Sequence, residues 1–403
     1  MKRIYEGVIK EHLENNRQML FLMGPRQVGK TTACMNLKTD FKNFIYLTWD
    51  DSQDRELILS GAKQIAEVAQ LDNLQEEIPL LVFDEIHKYP KWKEFLKGLY
   101  DSYPNKMHIL VTGSARLDVY KKGGDSLMGR YFLYRFHPIT IAEITHKEIR
   151  DQEILSIPNE ITTQQFDALW QFGGYPDPYL KAETRFFNRW KNLRFQQLFQ
   201  EEVRDLTRIQ EIAQLEILAK LLKAQVGKQT SYESLAKSVR VSGSTIRSWI
   251  QTLNSLYYCF EIRPWSKNIT RSLIKEPKYF LWDWSEVEDI GARAENFVAS
   301  HLLKAIHFWT DFGFGTYGLY YLRDKEQKEV DFLVTKNEEP WFILEVKYSN
   351  NQGISPALHY YQELTKAPHA FQVVIDLPFV NKNCFAINEP IIVPAKTFLS
   401  QLV

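Results

Sequence analysis

The feature that most restricts this chain is the stretch Gly24-Pro25-Arg26-Gln27-Val28-Gly29-Lys30-Thr31-Thr32, which directly follows the apolar run Met19–Met23. Glycine, four residues, then Gly-Lys-Thr at a strand-to-helix junction is the pattern of a phosphate-binding loop. Its glycines let backbone amides turn inward around an anion, and the helix that follows points its positive end at the same charge. The spacing assigns residues 24–32 to contact with ATP. Lys30 is expected to reach the β- and γ-phosphates, and the Thr31 hydroxyl to ligate Mg²⁺.

A second motif completes the expectation. Ile78-Pro79-Leu80-Leu81-Val82-Phe83-Asp84-Glu85 is an apolar strand ending in two carboxylates. Asp84 is assigned to the metal shell and Glu85 to orienting the attacking water. The next apolar run, 108–112, ends in Gly113-Ser114-Ala115-Arg116, which makes Ser114 or Thr112 a candidate polar sensor of the γ-phosphate. Gly129-Arg130 precedes a further strand. Arg130 is a candidate arginine finger, acting in cis or across a subunit boundary, with a structural ion pair as the competing reading. A finger supplied in trans would require a homo-oligomer.

Around these motifs, short apolar runs at 19–23, 44–47, 80–83, 108–112 and 131–136 alternate with amphipathic stretches, which implies a parallel sheet covered by helices. Residues 141 to about 222 read as helical, a lid or connector. Two short helices and an aromatic, β-rich segment occupy 231–280, and a final α/β unit follows. The expected division is 1–140, 141–285 and 286–403. Composition allows this: 403 residues, 44% hydrophobic and 25% charged, suffice for two or three cores. Cys34, Cys259 and Cys384 are too dispersed for a disulfide framework or structural zinc, so a reducing compartment, by default the cytoplasm, is expected. The first residues lack a signal-peptide core, and no stretch approaches the roughly 20 apolar residues of a membrane span.

The ordered set GPRQVGKTT, DEIHKYPKW, VTGSARL, LMGR followed by FHPITIAEI, and GGYPDPYL resembles the prokaryotic AAA-like ATPases whose C-terminal region is a domain of unknown function. LAKSVRVSGSTIRSWIQTL, PKYFLWD, AENFVASHLL, EVDFLV and ILEVKY are similar to that family's later landmarks in the right order, so the resemblance spans nearly the whole chain. It implies a P-loop NTPase sheet with helices, then a helical and winged-helix-like region, then a small restriction-endonuclease-like α/β domain. It supplies no substrate.

Within 231–255, Leu235, Ala236, Val239, Val241, Ile246, Ile250 and Leu253 are spaced to pack two helices together, leaving Ser244, Thr245, Arg247 and Ser248 outward. Residues 220–278 carry eleven Lys and Arg against three Glu, although the whole chain is formally neutral. That local excess suits a phosphate backbone, so DNA is the expected partner, with protein interaction as the alternative. Trp190, Trp249, Trp265, Trp282 and Trp284 are candidates for base stacking, with core packing the competing reading.

In the last unit, period-two alternation makes strands of the segments around Asp331 and Glu345. These acids are expected on adjacent strands, with Lys347 on the face of Glu345. Two carboxylates and a lysine at one place suit a metal-dependent phosphodiesterase, the acids binding Mg²⁺ and the lysine positioning water. The pattern resembles the restriction-endonuclease-like superfamily: Asp331, Glu345 and Lys347 match its acid, acid-x-lysine core, and Glu295 matches its helical acid. Val330 stands where that superfamily often has proline. Gln362, on the helical stretch 357–364, is expected to face the same site. An inactive binding platform on this fold is the alternative to a nuclease.

Overall fold

The computed structural model describes residues 2–113, 127–146, 154–206, 209–266, 276–350 and 353–403. It divides into two compact units, the first covering residues 1–137 and the second formed mainly by 150–403 together with 138–146.

The first unit is built on strands with apolar side chains on both faces. These are β1 (Met19–Met23), β2 (Phe44–Thr48), β3 (Leu80–Asp84), β4 (His108–Gly113) and β5 (Tyr131–Arg135), in the order β2-β3-β4-β1-β5 and parallel throughout. Strands covered on both sides read as continuous apolar runs. On one face Met19, Phe21, Leu81, Phe83, Ile109 and Val111 join the core of α3 (Ser52–Leu59), α4 (Ala62–Val68) and α5 (Trp92–Ser102). Helix α5 contributes Trp92, Phe95, Leu96 and Leu99, one helical stripe. The intervening Leu20, Leu22, Val82 and Leu110 are buried on the opposite face. Two further helices bracket the phosphate loop in sequence, α1 (Ile4–Asn15) before β1 and α2 (Lys30–Asn36) after it.

The second unit begins with α6 (Ile141–Thr145), α7 (Thr163–Phe172), α8 (Pro176–Lys181) and α9 (Thr184–Gln197), matching the helical stretch expected after residue 141. The paired glycines of GGYPDPYL have a packing role. A Cβ on Gly173 (φ +81°) would lie 2.6 Å from Asp283 Oδ1, and one on Gly174 would lie 2.5 Å from the Ile139 carbonyl oxygen. That close approach lets the Ile139 amide donate to the Gly174 carbonyl at 2.7 Å.

After a short helical turn at Val203–Leu206 come three longer helices, α10 (Ile212–Ala224), α11 (Tyr232–Val239) and α12 (Gly243–Ser255), then the antiparallel strands β6 (Cys259–Pro264) and β7 (Lys278–Leu281). Between α10 and α11, Gln229 makes an isolated antiparallel bridge to Lys278. The long helix α13 (Ile290–Asp311) leads into β8 (Tyr317–Arg323), β9 (Glu329–Lys336), β10 (Glu339–Lys347), α14 (Pro356–Thr365), β11 (His369–Val374), β12 (Ile391–Pro394) and α15 (Ala395–Ser400). Their mixed sheet runs β12-β11-β10-β9-β8-β6-β7. Because β6 pairs in parallel with β8, this sheet continues across the division expected near residue 285. Asn337 and Glu338 take positive φ (51° and 70°) in the tight β9–β10 turn, the geometry that a two-residue hairpin requires.

His301 of α13 is buried, with Nδ1 on the Phe297 carbonyl (2.7 Å) and Nε2 accepting from the Ile141 amide (3.1 Å). Burial lowers its pKa to about 3. Its folded value lies below its unfolded one of about 6.5, so its contribution is complete above pH 6.5 and is lost as pH falls toward 3. In thermal melts, the stability advantage of wild type over His301→Phe should therefore shrink between pH 7.5 and 5. A constant difference would contradict the assignment.

Candidate functional site

The phosphate loop leaves the C-terminal end of β1, between β4 and the edge strand β5, on the side of the sheet where open parallel sheets bind ligands. Gly24 has a steric reason to lack a side chain: a Cβ there would lie 2.2 Å from the Phe136 carbonyl oxygen, just past β5. Gln27 (φ +60°) and Gly29 (φ +99°) turn the loop in the left-handed region. Pro25 and Val28 are buried, Arg26 is half-buried, and Gln27, Thr31 and Thr32 are exposed. Lys30 opens α2, and its buried Nζ donates to the carbonyls of Gly24 (2.8 Å) and Pro25 (2.7 Å).

Asp84 gathers three hydroxyls at the end of β3. Oδ2 accepts from Thr31 Oγ1 (2.9 Å) and from Tyr46 of β2, while Oδ1 accepts from Thr112 of β4. An acidic oxygen beside the loop threonine is a donor set that suits Mg²⁺, a hard cation taking oxygen ligands. Thr31 and Asp84 are the residues that would hold it, with neutralisation of phosphate charge as the chemistry it supplies.

Glu85 is the next residue, held at φ +54°, a conformation uncommon for a side-chain-bearing residue. Its amide donates to the Thr112 carbonyl (3.1 Å), tying it to β4. Oε2 is buried without a hydrogen-bond partner, with His87 Nε2 and Lys88 Nζ each 3.6 Å away. Burial raises its pKa, opposed by Lys30 and Lys88. A carboxylate kept basic by burial, with an uncommitted oxygen, can orient and deprotonate water.

Of the other candidates, Ser114 lies outside the described residues. Thr112 is committed to Asp84. Arg130 lies at the wrong end of the sheet for a role in cis: its carbonyl accepts from the Met19 amide, so it sits beside the start of β1, on the order of 15 Å of strand from the loop. Its guanidinium makes a bidentate pair with Asp101 (2.8 and 2.9 Å). Two residues outside the expected set support the site. Tyr46 holds Asp84, and Arg3 donates to the carbonyls of Val28 (2.6 Å) and His137 (2.7 Å).

The second unit holds the other expected group. Asp331 on β9 and Glu345 on β10 are neighbours across the hairpin, and Asp331 Oδ2 accepts from the Val346 amide (2.8 Å). Lys347 Nζ lies 2.6 Å from Glu345 Oε1. Burial raises Asp331 to about 6, and burial with the Asp331 charge raises Glu295 to about 8. Lys278, missed in the sequence, is buried on the same group. It is ion-paired to Glu329, which also holds Arg323 (2.7 Å), and its charge interacts with Asp331 and Glu295.

Among the described residues no three acidic, His or Cys side chains converge to hold a divalent metal, and this cluster already contains the buried Lys278 charge and the Lys347–Glu345 pair. Glu345 Oε2 is buried without a hydrogen-bond partner. Gln362 does not face the group, since its amide donates to the carbonyls of Ala367 (3.2 Å) and Asn388 (2.5 Å).

On the helical pair, Ser244, Arg247 and Ser248 are exposed as expected, while Thr245 is half-buried. Trp190, Trp249, Trp282 and Trp284 are buried, which assigns them to packing; Trp265 is half-buried. No helix among the described residues is long and apolar enough to cross a membrane.

Residues 16–145 match the family model of an AAA domain, so this part of the chain is an AAA-type P-loop ATPase domain. Residues 163–286 and 290–380 match two successive domains of unknown function. An uncharacterized protein of Mycobacterium tuberculosis is 22% identical over 355 residues, 84% of this chain and 72% of its own. One from Methanocaldococcus jannaschii is 23% identical over 355 residues, 82% of this chain and 75% of its own. Among solved structures, the Aeropyrum pernix ORC1 protein in complex with DNA is similar at 15% identity and a TM-score of 0.31, covering 73% of this chain and 91% of that one.

Arg3 lies before the matched AAA segment yet bonds the phosphate loop. Arg3→Ala leaves the carbonyls of Val28 and His137 without these donors, and stability is expected to fall by about 1–3 kcal/mol with weaker ATP binding. Melting and nucleotide titration would check this. Unchanged values for both would remove Arg3 from the site.

Proposed function

We propose that this chain hydrolyses Mg-ATP and couples its nucleotide state to DNA contact by the module α10–α12 with β6–β7. The observation that carries the hydrolytic part is the convergence of Thr31 and Asp84, with Glu85 beside them, at the loop that contains Lys30. Lys30 neutralises phosphate charge, Thr31 and Asp84 hold the metal, and Glu85 takes a proton from water as it attacks. Arg130 can serve only a nucleotide bound to a neighbouring copy, which makes that role conditional on oligomers.

The DNA part rests on topology and charge. Helix, bridge at Gln229, two helices and a two-stranded hairpin is the order of a winged helix. Helix α12 is then the recognition helix, and its exposed Ser244, Arg247 and Ser248 point outward for groove contact. Lys237 and Arg240 of the preceding segment are exposed for phosphate contact. A cleft of about 880 Å³ beside α12 is lined by Arg247 and Arg263 but also by Glu233, Glu261 and Glu276, so the positive charge for phosphate contact lies outside it. Part of the local positive charge is used internally, however, since Lys223 lies 4.0 Å from Glu286 and Lys278 pairs with Glu329.

A second reading, a nucleotide switch that binds protein partners, is favoured by the ion-paired C-terminal acids, which suit a binding platform better than a nuclease. The two readings part on DNA. Under the proposal, Lys30→Ala and Glu85→Gln each lower ATP turnover by about 100-fold or more, Glu85→Gln while still binding ATP. Arg247→Ala leaves basal turnover intact and weakens binding to a fluorescent duplex, with a shallower salt dependence. ATP turnover that survives Lys30→Ala would overturn the hydrolytic part. Failure of the wild type to bind duplex under any nucleotide would favour the protein-binding switch.

A further inference from the structure

We propose that Lys278 is a built-in cation of the C-terminal carboxylate cluster, standing in for the divalent metal that Asp331 and Glu345 would otherwise recruit. The starting observation is its burial: the residue is 3% exposed and lies on a short strand at the sheet's edge. Burying an ammonium costs several kcal/mol unless it is closely paired, so its surroundings must supply anions. They do so through Glu329, which ion-pairs with it, and through the nearby charges of Asp331 and Glu295. The Tyr321 ring, 5.3 Å from Nζ, adds a cation–π contact.

Lys278 is held there by backbone as well as charge. It pairs with Ile262 in β6 and bridges to Gln229. Two residues earlier, the Gly227 amide donates to the Tyr279 carbonyl (3.1 Å), and Gly227 presses on the same cluster, where a Cβ would lie 2.5 Å from Glu295 Oε2. The segment before α11 and the start of β7 thus close over the helical acid together. Glu345 is engaged from the other side by Lys347. Glu345 Oε1 and Asp331 Oδ2 are already engaged, and a divalent cation entering the cluster would be repelled by the Lys278 charge. The inference is independent of ATP hydrolysis and of DNA contact.

The test is uptake of Mn²⁺ by the full chain without nucleotide, read from the electron paramagnetic resonance signal of free Mn²⁺. Wild type, Glu345→Ala, Lys278→Met and the double variant Lys278→Met/Glu345→Ala are compared. Wild type should show no Mn²⁺ uptake that Glu345→Ala removes. Lys278→Met should gain one site at least about ten-fold tighter than any in wild type, and the added Glu345→Ala should abolish it. Glu345-dependent uptake by the wild type would overturn the proposal. So would a folded Lys278→Met protein that gains no site, with folding judged by its melting and its ATP turnover. Should Lys278→Met not fold, Lys278→Gln takes its place, and the wild-type comparison decides on its own whether the metal is excluded.

Discussion

The AAA-type domain depends on one carboxylate. Asp84 ends β3 at the C-terminal edge of the sheet, and hydroxyls from α2, β2 and β4 converge on it. Each of those hydroxyls belongs to an element whose position is fixed by buried apolar side chains, so the core of the sheet sets the distances at the site. Glu85 follows Asp84 directly, at φ +54°, with its side chain half-buried and Oε2 buried without a hydrogen-bond partner. Hydrogen bonds to charged groups contribute about 1.5–3 kcal/mol each, enough to hold such a conformation.

The C-terminal cluster obeys the opposite logic. Glu329, Asp331 and Glu345 are also at strand positions fixed by a buried sheet, but Glu329 and Glu345 pair with lysines and an arginine rather than with hydroxyls. Hydroxyls bring no net charge to a carboxylate and ammonium groups do, so the same residue types meet different electrostatic surroundings in the two units.

Much of this was legible in the sequence where a residue's surroundings are set by its own neighbours. The five strands of the first unit were readable because their apolar runs are buried on both faces, and Asp331, Glu345 and Lys347 because alternation fixes which side chains share a face. For Arg130 the choice between a finger in cis, a finger in trans and an ion pair stayed open because adjacency to a strand does not say which end of the sheet is meant, and Gln362 was misplaced because a helix position does not say which carbonyls its amide will meet. Arg3 and Lys278 carried no local signal at all: each acts on a partner far away in the chain, Val28 and Glu329 respectively. The glycines of GGYPDPYL could be seen as a motif, but only the Asp283 and Ile139 contacts explain them.

The central claim is that nucleotide state and DNA contact are coupled, and coupling between two ligands is a free energy, ordinarily about 1–3 kcal/mol or roughly 5–150-fold in affinity. The most direct measurement is the duplex affinity of the Glu85→Gln protein, which should hold ATP without turning it over, saturated in turn with ATP and with ADP. The account predicts two affinities differing by at least about five-fold. Equal affinities, with both nucleotides shown to be bound, would contradict it.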